Sequence, residues 1–181
     1  MHSTPLRFLL PAALALAAAS AAAAPNAVAA LRFDGGIGVD PLTAAGGVDV
    51  PNVVRGISPG GRAWVIRKLD ATVYADASVE IRGKGLLFAS GEAIATRGPV
   101  THVAATLACG PADATAAKFS TGPAELSAAG DFTIRGPLLD GANTAVLPAS
   151  CENPQLLIRG FSLATGLPGG WFAVGIRALD D

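Results

Sequence analysis

The chain has 181 residues, with 13 Lys and Arg against 14 Asp and Glu, a formal charge of −1. That length leaves room for one domain once a targeting segment is removed, and the near-neutral balance gives no electrostatic footprint for nucleic acid or an anionic membrane. Hydrophobic residues make up 51%, but Ala and the N-terminal run inflate this figure; later apolar segments are short and broken by Gly or Pro, so none is expected to span a bilayer as a helix.

Met1 to Ala24 has the pattern of a secretory signal: Arg7 in a thin basic start, a Leu/Ala run from Phe8, then small residues at candidate cleavage points as late as Ala29. The run is Ala-rich and shorter than the roughly 20 residues a spanning helix needs. No Cys lies near the cleavage region, which rules out a lipid-modified N-terminus. The expected product is exported, to a periplasm or the extracellular space, with a single domain over 30–177 and a tail over 178–181.

In chain order, Leu31-Arg32-Phe33 reads as a short strand ending in the glycine turn Asp34 to Pro41, and Thr43 to Val50 as loop or edge structure. Asn52 to Arg55 reads as a second strand stopped by Gly56, followed by a Ser58-Pro59-Gly60-Gly61 turn. Ala63 to Ala89 is the clearest element, a β-hairpin turning near Ala75-Asp76-Ala77. Its period-2 alternation puts the apolar residues of both arms on one face only if paired positions have the same parity, for example Asp70 opposite Arg82, and the adjacent apolar Trp64, Val65 and Ile66 point to a bulge or change of sheet near Arg67-Lys68.

Further strands are predicted over Thr101 to Cys109 (with His102, Ala104, Thr106 and Ala108 on the face away from the core), Phe119 to Thr121, Asp131 to Arg135, Gln155 to Arg159 and Trp171 to Ile176. Pro111 to Lys118 reads as a short helical turn, and Gly-Leu-Pro-Gly-Gly as the turn before the closing strand. Short strands separated by Gly/Pro turns predict an all-β fold, an antiparallel β-sandwich or small barrel of seven to nine strands. Arg followed by Gly at positions 55, 82, 97, 135 and 159 reads as outward arginines at strand ends ahead of turns or bulges.

Cys109 and Cys151 are the only cysteines, and in an exported chain an even count predicts a disulfide, here structural since the spacing is not that of a redox pair.

Gly56-Ile57-Ser58-Pro59-Gly60 matches the G-x-S-x-G hydrolase pattern, but Pro59 has no N–H for an oxyanion hole and strand-like sequence lies on both sides. His102 has no ligand-spaced partners for a metal, and Gly35 to Leu42 is one copy of a calcium-roll unit that needs neighbours. No catalytic constellation, metal site or cofactor is therefore expected. Trp64 and Trp171, each just after a Gly-rich turn, are candidate ligand contacts at one end of the fold.

The segments FDGGIGVDP, NVVRGISPGGRAWVIRKLDATV, KGLLFASG, ATLAC, LLIRG and WFAVGI, spread from Phe33 to Ile176, resemble an uncharacterised family of small exported bacterial all-β proteins. The resemblance implies a secreted domain and carries no catalytic motif. The expected function is a non-catalytic structural or interaction module, with another envelope or extracellular protein as partner; the alternative is a ligand- or glycan-binding domain.

Overall fold

The hairpin pairs β3 (Lys68–Tyr74) with β4 (Ser78–Lys84) with the parity that period 2 demands, Asp70 opposite Arg82 and Ala71 opposite Ile81. Leu69, Val73 and Ile81 point into the core, while Lys68, Arg82 and Lys84 face water. The computed structural model describes residues 29–41 and 52–178. The predicted signal, the segment 42–51 and residues 179–181 lie outside the described residues.

Before the hairpin stand β1 (Ala29–Gly38) and β2 (Trp64–Val65), and after it β5 (Leu87–Phe88), β6 (His102–Cys109), β7 (Ala117–Ser120) and β8 (Ala124–Glu125). Then come β9 (Phe132–Pro137), β10 (Leu139–Asp140), β11 (Asn143–Thr144), β12 (Gln155–Ser162) and β13 (Leu167–Arg177). All pairings between these strands are antiparallel, and no helix occurs among the described residues.

One sheet runs β11-β10-β7-β6-β12-β13-β1-β3-β4-β9, with β8 also on β6, while β2 and β5 form a separate pair. The strand at one end of this order, β9, and β10 near the other are consecutive in the chain, separated only by Leu138. Pro137 still pairs with Ser78 of β4, and Leu139 already pairs with Ser120 of β7. The chain itself therefore brings the two ends of the sheet together, and the result is a nearly closed, barrel-like sheet. The large residues of the interior, among them Leu69, Ile81, Leu107, Ile134, Leu156 and Ile158, are fully buried.

Among the described residues thirteen strands replace the seven to nine expected. Five of them have two residues each; such short pairings are set by distant backbone, and no local alternation announces them. Glycines account for another difference. Asp34 to Gly38 is not a turn but continues β1 through a bulge between Phe33 and Gly36, with Gly35 at φ +89°. At Gly38 a Cβ would collide with the Trp64 carbonyl, so glycine is there to let β2 cross β1. The Gly-Leu-Pro-Gly-Gly stretch likewise belongs largely to β13, paired Leu167 to Ser162 and Pro168 to Phe161. Pro111 to Ala116 forms turns and bends and no helix.

Residues 52–60 form a strap rather than a strand. Val54 and Ile57 exchange backbone hydrogen bonds around Arg55 (φ +54°) and Gly56 (φ +77°), the positive-φ pair of a tight two-residue turn. Arg55 turns inward and is only 5% exposed. Its guanidinium donates to Gln155 Oε1 (2.8 Å), the Gly110 carbonyl (2.7 Å) and the Asn153 carbonyl (2.8 Å). Trp171 anchors the other end, with its N–H on the Ser58 carbonyl and its carbonyl accepting from Gly60 N–H. The face of β6 expected to be wet is consequently dry: Ala104, Thr106 and Ala108 are as buried as Val103, Ala105 and Leu107.

The Arg-Gly pairs have no common role. Arg55 is a buried clamp, and Arg97 sits in a loop with Nη1 on the Val100 carbonyl. Arg82 and Arg135 flank Glu80 on the outer surface, and Arg159 is half-buried against the Pro168 and Gly169 carbonyls. The hydrogen bond from Arg135, then the charge of Arg82, hold the Glu80 carboxyl below its usual range.

The disulfide joins Cys109 to Cys151, at the same end of the barrel as the Arg55 clamp. Two outcomes are expected in urea unfolding. Replacing both cysteines by Ser should remove up to about 4 kcal/mol, the chain-entropy value for a loop of 42 residues. Arg55→Met should cost about 3 kcal/mol, because three charge-assisted hydrogen bonds of a buried guanidinium are lost; a change below about 0.5 kcal/mol would mean the clamp is solvated away without consequence.

Candidate functional site

Three aromatic rings from three elements meet where the β2–β5 pair crosses the end of the barrel. Trp64 comes from β2, Phe88 from β5 and Phe172 from β13. Trp64 stacks on Phe172 with centroids 4.1 Å apart and planes at 17°, and Phe88 tilts against Trp64 at 4.4 Å and 56°. Each ring contact of this kind contributes about 0.5–1.5 kcal/mol beyond area burial.

The backbone places them as follows. Trp64 pairs with Phe88 across β2 and β5, and Trp64 N–H donates to the Val39 carbonyl while Val39 N–H donates to the Phe172 carbonyl. Residues 89–100 then fold back on β5, with Phe88 N–H on the Thr96 carbonyl and Ala95 N–H on the Phe88 carbonyl.

These rings floor a hollow of about 410 Å³, walled by Gly61, Arg62, Ala93 and the Gly98-Pro99-Val100 turn. That volume lies within the roughly 300–1,000 Å³ of small-ligand sites, and an aromatic floor with few polar groups suits an apolar ligand. Glycines grip the rings at contact distance. A Cβ on Gly98 would run into the Phe88 ring, and one on Gly60 would come within 2.7 Å of Phe172. The Arg62 guanidinium lies over Phe88, 5.4 Å from its centroid, and adds a cation at the rim.

A larger hollow of about 550 Å³ lies between β8 and β9. The two strands are joined by a turn in which Ser127 N–H bonds the Asp131 carbonyl, yet they form no ladder beyond it. Its banks are Gly122, Pro123 and Glu125 on one side and Thr133 and Arg135 on the other. Arg135 is already bound to Glu80, and no aromatic ring converges there. It is a gap in the barrel wall with less chemistry than the ring pocket.

The residues singled out from sequence fall apart in space. Trp64 belongs to the ring pocket. Trp171, also 3% exposed, instead sends its indole N–H to the Asn52 carbonyl at 3.0 Å and holds the strap. Ser58 engages Trp171 through its backbone, whereas the His102 ring sits 3.0 Å from Thr101 Oγ1, and no hydrogen bond joins Ser58 to His102. Among the described residues no three of His, Cys, Asp or Glu are grouped to hold a metal ion. Phe88 and Phe172 carried no sequence signal of a site, being apolar residues in apolar strand segments; only the glycine-rich turns beside Trp64 hinted at it.

Comparison with known proteins gives no matching family model, no curated relative and no solved structure of significant similarity.

Because Gly98 has φ +55° and faces the Phe88 ring, Gly98→Ala should displace that ring and destabilise the fold by about 1–3 kcal/mol. Thermal unfolding checks this, and unchanged stability with unchanged Trp fluorescence would show that the Gly98–Phe88 contact is not needed.

Proposed function

We propose that this chain is an exported, non-catalytic binding module that accepts a small apolar group in the Trp64–Phe88–Phe172 pocket. The observation that carries the reading is the pocket itself: three rings on separate elements, with close-packed glycines beside them, lining an open hollow at one end of a barrel. The disulfide supports an oxidising compartment, in keeping with the signal-like N-terminus and the resemblance to small exported proteins. A sugar is disfavoured as the ligand, because Trp64 already stacks one face on Phe172 and has Phe88 against it, so no free aromatic platform remains.

A structural or interaction role has its own supporting feature. Ile37 and Val174 are paired on neighbouring strands, and Ile176 lies two residues along the same face. Ile37 is 58% and Ile176 46% exposed, giving a small apolar stripe on the outside of β1 and β13 suited to contact with another protein.

The pocket reading is tested with a neutral apolar fluorophore such as N-phenyl-1-naphthylamine. Uptake should raise the probe's emission, and probe at about 100 times its Kd should stabilise the protein by about 2.7 kcal/mol. Ala93→Trp, which fills the hollow from its wall and leaves the three rings in place, should abolish uptake while the protein still folds. Absence of uptake, or uptake indifferent to Ala93→Trp, would remove the reading.

A further inference from the structure

Arg62 is the part of the pocket that an apolar ligand leaves unexplained. Its side chain is at the rim, over the Phe88 ring. Arg55, Arg97 and Arg159 are committed to carbonyls, and Arg82 and Arg135 to Glu80; Arg62 is instead the arginine that borders the hollow. Among the described residues Arg62 has no carboxylate and no hydrogen-bond acceptor; its guanidinium lies over the Phe88 face with Nη1 beside Gly91. A guanidinium held above an aromatic ring keeps its in-plane N–H groups free, and those match the two oxygens of a carboxylate.

We infer that the pocket selects a carboxylate-bearing amphiphile, whose apolar chain enters the hollow bordered by Trp64, Phe88 and Phe172 while its carboxylate pairs with Arg62. This rests on the reading of the hollow as a binding site. It adds the ligand's charge and orientation: apolar end inward, anionic end at the rim. An ammonium head would meet a like charge, and a hydroxyl head would leave the guanidinium's second donor unused. Because Arg62 is exposed, the attraction is partly screened and should weaken as salt is raised.

The test is calorimetric titration of the folded protein with octanoate, 1-octanol and octylammonium, in parallel with Arg62→Gln and Arg62→Lys. Octanoate should bind the unaltered protein and lose about fivefold in affinity in Arg62→Gln at low salt, a surface-pair magnitude. Arg62→Lys should lose less than Arg62→Gln, keeping the charge without the fork, and 1-octanol should bind both variants as it binds the unaltered protein. Thermal unfolding of each variant establishes that it is folded. Octanoate affinity unchanged in Arg62→Gln, or octylammonium binding as tightly as octanoate, overturns the carboxylate assignment while leaving the pocket reading intact. A short peptide ending in Leu-Phe that outcompetes octanoate would move the assignment to a protein C-terminus and overturn it as well. No binding by any of the three amphiphiles removes both inferences.

Discussion

The barrel depends on a closure made by the chain itself at Leu138. One residue earlier the backbone is paired to β4, and one residue later to β7. Leu138 is fully buried, with its N–H on the Ala77 carbonyl and its own carbonyl accepting from Ala145 N–H. A sheet curled this far has two edges that would otherwise expose unpaired backbone groups. Running one strand segment from edge to edge removes most of that exposure without demanding a long complementary pair. Closure is incomplete where β8 and β9 diverge after Ser127 and Asp131, and a hollow of about 550 Å³ lies there.

Closure encloses one side of the sheet, and the strap covers part of the other. The middle of β6 and Leu156 to Ile158 of β12 are dry on both faces; the strap is tied down beside them by Arg55 on Gln155 and Asn52 on Trp171, with Gly56 packed against Ala114 so closely that a Cβ would meet it at 2.8 Å. Arg55 is the tie between these pieces. It reaches Gly110, immediately after Cys109, and Asn153, two residues after Cys151, so the covalent bond and the guanidinium fasten the same pair of segments. The two differ in where they act. The disulfide restricts the unfolded chain, whereas Arg55 acts in the folded state, through three hydrogen bonds from a buried guanidinium. Its charge is met by carbonyl and amide oxygens, an arrangement a guanidinium tolerates because its charge is delocalised and weakly hydrated.

The sequence made some of this legible, and the limits have physical causes. The parity of the hairpin pairing was readable because strand alternation has a strict period, and a one-residue slip would turn Leu69 and Val73 outward. The break near Arg67-Lys68 was readable for the same reason: three consecutive apolar residues cannot share one face, and β2 indeed belongs to a different sheet from β3. Glycines misled, since a glycine placed for a bulge or a crossing looks the same in sequence as one placed for a turn; Gly35 is a strand residue at the positive φ of a bulge, and Gly38 one that makes room for the Trp64 backbone. Arg55 misled because an arginine before a glycine is most often a solvated strand end. Trp64 and Trp171 were indistinguishable, each following a glycine-rich turn. What separates them is that one meets Phe88 and Phe172 and the other meets Asn52, and such partners leave no local pattern.

The same rings that floor the pocket also anchor the β2–β5 pair. Two strands of two residues each supply few hydrogen bonds of their own, and an isolated pair of that length is not stable in water. Trp64 on Phe172 docks the pair on β13, and Phe88 on Trp64 ties its two strands together. Their low exposure follows from this double duty, because a ring that holds a flap to a barrel spends most of its surface on the flap. Truncating any of the three would therefore loosen the flap and empty the pocket together, and a loss of binding could not be separated from a loss of structure. The residues able to separate them sit on the wall and rim. Ala93 and Arg62 border the hollow without joining the stack, so shape can be altered at one and charge at the other while the flap stays docked. Ligand selectivity in such a site resides in the rim, and the aromatic floor is shared with the fold.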